Sequence, residues 1–244
     1  VDSVESALAA AEGGADRLEL CAGLIIGGIT PGAALFEQVR ECCDLPVRVL
    51  LRPRFGDFLY TGYEFRILLK EVELFREAGA EGAVIGCLKE DGSLHMGQMK
   101  ELMAAAGRMK VTLHRAFDVC MDPIAVYGQA AELGIDTILT SGQESCCLEG
   151  MPLLKRLSAL QKETGGPRIM AGAGVTPEVI RRFLAETQIT DYHLSAKKVV
   201  DSGMHYRKEG VPMGIPAMSE YCILRTDSRT VAEAKRALTE GRRS

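Results

Sequence analysis

Residues 168–196 read "RIMAGAGVTPEVIRRFLAETQITDYHLSA", and this stretch decides the fold. It opens on a short β-rich run (Arg168–Gly174), passes through glycines, and enters a helical pattern in "TPEVIRRFLAETQI". It closes on a second β-rich run, "DYHLSA" (Asp191–Ala196). A strand, a helix and a strand joined by short connections form a βαβ unit, which requires parallel strands. Thr176 and Pro177 are the residue types expected at the N-cap and first position of the helix.

The same period extends outward through the whole chain. Further strands are expected at Arg17–Cys21, Val47–Pro53, Gly82–Leu88, Lys110–Asp118 and Thr137–Gly142, with amphipathic helices such as "EFRILLKEVELFREAGA" and "DPIAVYGQAAELGI" between them. Helices that stop at a glycine shortly before the next strand, as in "EAGAEGAV" and "AELGIDTIL", carry the left-handed cap that turns the chain back to the sheet. No Pro/Ser linker or polar tract interrupts the alternation, so residues 1–244 are expected to form one domain. Right-handed crossovers leave a doubly wound sheet or a (β/α)8 TIM barrel. The chain begins at once with "VDSVESALAAAEGGAD", read as a helix with Asp2 as N-cap and Glu5 completing a capping box. A barrel whose first strand is missing or displaced is therefore the expected fold. The two edges so exposed point to a possible homodimer.

Composition removes several function classes. Lys and Arg number 29 against 33 Asp and Glu, a formal net charge of −4 with no basic stripe for phosphates, so nucleic acid is not an expected partner. Apolar runs are short and broken, so no membrane span is expected, and no leader indicates export. The eight cysteines show no CxxC spacing and are expected as reduced thiols in the cytoplasm.

In parallel α/β folds the carboxyl ends of the strands floor the binding site. These ends collect Glu19 and Cys21, Arg52 and Arg54, His114, Arg115 and Asp118, Gly172 and Gly174, and His193 and Ser195. Alternation places Glu19 with Cys21, Arg52 with Arg54, Thr112 with His114, and His193 with Ser195 on common faces. Gly172, Gly174, the helix at Thr176, and Ser195 have the chemistry of an anion cradle, which Arg52 or Arg54 would reach from the loop "RPRFGDFLYTGYEF". The alternative for the arginines is an internal ion pair with Glu19 or Asp57. Glu19, His114 and Asp118 are the candidate acid/base groups.

"GGADRLELC", "GGITP", "RPRFGDFLY", "VTLHRAFD", "LTSG", "MAGAGV", "HLSA" and "GMHYR" (203–207), in this order, resemble the CutC copper-homeostasis family over nearly the whole chain. The resemblance implies a (β/α)8 barrel, a cytoplasmic location and a role in copper handling by binding Cu(I). It also implies a cysteine on the first strand, just before Val1, facing Cys21 as a second thiol, with His114 nearby. Phe55 stands where the family's loop has a glycine. Two functions are thus expected of the strand ends: a soft-metal site at Cys21, or an enzyme site for a small phosphorylated or carboxylated molecule.

Overall fold

The computed structural model describes residues 1–208, 210, 211, 213 and 219–241. Seven strands, β1 (Leu18–Leu20), β2 (Val47–Leu50), β3 (Gly82–Ile85), β4 (Lys110–Leu113), β5 (Thr137–Thr140), β6 (Arg168–Ala171) and β7 (Asp191–Tyr192), pair in sequence order, all parallel. Between and around them lie α1 (Val4–Glu12), α2 (Ala33–Cys42), α3 (Gly62–Glu77), α4 (Met96–Ala106), α5 (Pro123–Glu132), α6 (Met151–Thr164), α7 (Pro177–Glu186) and α8 (Ser228–Gly241). Consecutive pairing without reversal is barrel order, so the doubly wound alternative is excluded.

The helices start where their caps allow. Thr61 and Glu64 form a reciprocal capping box on α3, Asp122 caps α5 ahead of Pro123, and Thr176 caps α7 through Val179 N. At α1 the capping residue is Ser3, whose Oγ accepts from Ser6 N, one position beyond the expected Asp2. After α3 and α5, Gly79 and Gly134 take φ of +82° and +74°, the left-handed turns that lead into β3 and β5. Each helix buries one face on the sheet. On α3 this is Leu68, Val72 and Phe75, spaced at helical period, each contributing about 1.5–3 kcal/mol by leaving water.

Strand alternation divides the wall. Val47, Val49 and Leu51 join the main core under the helices, whereas Leu50 packs with Cys21 and Val84 in a separate inner cluster. Inside, buried Arg48 reaches across from β2 to β4, its Nη1 donating to Thr112 Oγ1 at 2.9 Å, while its Nε donates to Glu81.

The ring of backbone pairing stops between β1 and β7. Val1 N donates to Glu19 O and Cys21 N donates to Val1 O, the two bonds of a parallel pair with Leu20, so a single residue occupies the position of a further strand beside β1. Beyond it, side chains tie the two edges. Arg17 Nη2 donates to Asp191 (3.2 Å) and Met170 Sδ, and His193 Nδ1 lies 3.6 Å from Glu19 Oε2. The sheet is therefore curled far enough for its first and last strands to touch. Outside this seam, α8 packs against both α7 and α1 and closes the helical ring. Ahead of α8 the chain forms an antiparallel hairpin, β8 (Lys197–Asp201) and β9 (Cys222–Thr226), which the sequence reading did not include.

Candidate functional site

A pocket of about 160 Å3 opens at the carboxyl ends of the strands, and Glu19, Cys21, Arg52, His114, Arg115 and His193 share its wall. Alternation explains the convergence. Glu19 and Cys21 continue the inward face of β1, Arg52 that of Arg48 and Leu50, and His114 that of Thr112. Gly172 and Ala173 complete the floor beyond β6.

The electrostatics at the base of this pocket are unusual. Arg52 is 9% exposed, and its Nη1 and Nη2 donate to the carbonyls of Gly28 and Gly56, with no carboxylate in ion-pairing contact among the described residues. Its guanidinium lies over the Phe58 ring, 4.9 Å from the centroid, and the Phe58 ring packs on His114 at 4.8 Å. Burial lowers the Arg52 pKa. His114 is fully enclosed, and burial, with the Arg52 charge second, pushes its pKa down to about 3, so the ring is neutral at pH 7. Its Nδ1 accepts from Ala116 N at 3.1 Å, which puts the ring proton on Nε2. Among the described residues His114 Nε2, Arg52 Nε and the Tyr60 hydroxyl lack a hydrogen-bond partner, and Tyr60, with Asp57, partly offsets the burial of Arg52. Two buried N–H donors, on groups that both contact the Phe58 ring, are thus left without an acceptor.

The remaining candidates are distributed differently. Arg54 leaves the pocket and is held by Asp57 and Glu64, so the ion-pair alternative describes this arginine. Asp118 does not line the pocket. Its carboxylate accepts from Thr140 Oγ1, Ser141 N and Arg115 Nε, and it pins the loop after β5. Ser195 lies in a separate cleft of about 390 Å3 along the seam between β1 and β7, where Thr226 Oγ1 donates to its carbonyl. A Cβ on Gly174 would meet Cys146 rather than open space, and Gly174 holds φ at +71°. Of the expected cradle, only Gly172 borders the pocket. Phe58, which stacks on both donors, and His193, which faces Glu19, were present in the loop and strand-end readings but were assigned no role there. The inward parity of "HLSA" was the available signal for His193, whereas Phe58 sits in an irregular loop where no period applies.

Cys21 is the pocket's thiol. Its Sγ donates to Val1 O, and burial, reinforced by Glu19, pushes its pKa up to about 11, so it is a protonated thiol at neutral pH. Among the described residues no group of three or more His, Cys, Asp or Glu side chains is placed to hold a metal ion. No helix among them is long and apolar enough to cross a membrane.

Residues 1–198 match the CutC family model. A human protein named copper homeostasis protein cutC homolog is 42% identical over 228 residues, spanning 93% of this chain and 83% of that protein. A CutC-family protein of Bacteroides thetaiotaomicron is 46% identical over 215 residues, spanning 87% and 85%. The crystal structure of a CutC protein from Streptococcus agalactiae superposes with a TM-score of 0.67 at 28% identity, covering 73% of this chain and 87% of that one. The barrel order of the strands, the inward residues at their ends and these matches agree: the chain belongs to the CutC family.

Proposed function

We propose that the barrel mouth binds a small organic anion in the cytoplasm. The observation that carries this reading is the pair of buried, acceptor-less donors, Arg52 Nε and His114 Nε2, on the wall of one pocket. Both donate, so the ligand atom between them is an oxygen, and the buried guanidinium favours a carboxylate or phosphate. The pocket's 160 Å3 compares with the roughly 150 Å3 cavity known to hold benzene, so the ligand has about six non-hydrogen atoms. His114 serves as a neutral donor, and proton transfer falls to Glu19 with His193, which face each other across the same pocket.

A second reading, copper homeostasis through Cu(I), is favoured by the thiol of Cys21 in that pocket and by the names of the human and mouse relatives. The residues present fit Cu(I) poorly. One protonated thiol faces the pocket, and His114 cannot offer Nε2 to a metal without surrendering the bond that Nδ1 takes from Ala116 N.

Thermal unfolding with oxalate, pyruvate or phosphate, and separately with Cu(I), tests both. Anions are expected to stabilise the protein, and Arg52→Ala to weaken their binding by about 1.5–3 kcal/mol. Equal stabilisation of wild type and Arg52→Ala would overturn the anion reading. Cu(I) retention against a chelator that disappears in Cys21→Ser would establish the thiol site in its place.

A further inference from the structure

The hairpin after β7 leaves one strand in the open. All five residues of β8, Lys197–Asp201, are exposed, Val199 to 64%. β9 lies on the inner side, against α1, with Thr226 N donating to Ser6 Oγ. The ladder fixes which way each backbone group of β8 points. Asp227 N donates to Ala196 O and Ser202 N to Tyr221 O, and the register pairs Lys198 with Arg225 and Val200 with Ile223. Ala196, Lys198, Val200 and Ser202 therefore turn their N–H and C=O toward β9, and Lys197, Val199 and Asp201 turn theirs outward. Among the described residues no strand pairs with that outer edge. An unpaired edge of this kind is a template for another strand whose charges match its own lysine and aspartate.

We propose that β8 pairs antiparallel with β8 of a second copy, about a two-fold axis through Val199, to make a four-stranded sheet across a homodimer. The sequence "KKVVD" is self-complementary in this register. Val199 meets Val199 of the second copy, and Lys197 meets its Asp201, with the same contact repeated in reverse. The outward groups of residues 197, 199 and 201 are those that such a pairing joins, so backbone phase and side-chain charge select the same register. Lys198 is already held by Asp227, whereas Lys197 has no ion-pair partner among the described residues. Arg207 occupies Oδ2 of Asp201, leaving Oδ1 to face the approaching lysine. A two-fold contact closes on itself and stops at a dimer.

The test is the mass in solution, by light scattering on eluted protein at micromolar concentration, of wild type and three variants. Wild type is expected as a dimer. Val199→Pro removes an outward N–H without touching the ladder to β9 and is expected to be monomeric, with a melting temperature that no longer rises with protein concentration as the wild type's does. Lys197→Asp sets carboxylates opposite each other and should weaken dimerisation by roughly tenfold, and adding Asp201→Lys should restore it. A monomeric wild type, or a dimer whose mass survives both Val199→Pro and Lys197→Asp, would overturn the proposal. So would a charge-swapped double variant that stays as weak as the single one.

Discussion

His114 owes its chemistry to its enclosure. Its folded pKa lies near 3, below the ordinary 6.5, so the unfolded chain binds a proton that the folded chain refuses between those values. The stabilising contribution is complete above about pH 6.5 and drains away as pH falls toward 3, with a slope approaching about 1.4 kcal/mol per pH unit. His114→Gln is expected to flatten the stability profile between pH 6.5 and 5, measured by urea unfolding at successive pH values; an unaltered slope would show that the ring is hydrated and charged. Asp118 acts through its bonds. Asp118→Ala strands Thr140 Oγ1, Ser141 N and Arg115 Nε and should cost about 3 kcal/mol of stability, read as a lowered urea midpoint. At this scale the sequence was legible on a strand and for a residue or two past its end, because alternation carries Glu19 on β1, and Cys21, Arg52 and His114 just beyond β1, β2 and β4, inward. Arg54, Asp118 and Ser195 lie further past the strand ends, where the backbone bends and parity no longer predicts direction.

At the level of elements, the connection from β5 to α6 brings two stretches of backbone close together at Gly142 and Gly150. A Cβ on Gly150 would overlap the carbonyl oxygen of Ser141, so Gly150→Ala must push two backbones apart. It is expected to destabilise by about 3 kcal/mol, seen as a drop in melting temperature, whereas Gly128→Ala, with open space around its Cβ, should be neutral or stabilising. The seven strands could be read from β-rich runs of regular spacing because a helix of plain period separates each from the next. The β8–β9 hairpin escaped for a physical reason. Its strands lie outside the main sheet, β8 is exposed on every residue, and "KKVVD" shows neither the alternation of a half-buried strand nor the apolar run of a buried one.

For the molecule as a whole, helices and strands close differently: α8 bridges α7 to α1, whereas the β1 and β7 edges are tied by the side chains of Arg17, Asp191, Glu19 and His193. α8 turns Ala234 and Ala237 inward to meet Ile180, so Ala237→Glu is expected to loosen that bridge and lower the melting temperature without altering anion affinity. The ties along the seam have a consequence for how the protein comes apart. Backbone ladders are indifferent to ionic strength, but the Arg17–Asp191 ion pair is not. Salt should therefore act locally, speeding hydrogen exchange in β1 and β7 while β3 to β5 keep their protection, so that the wall parts along one line, like a book opened at its spine.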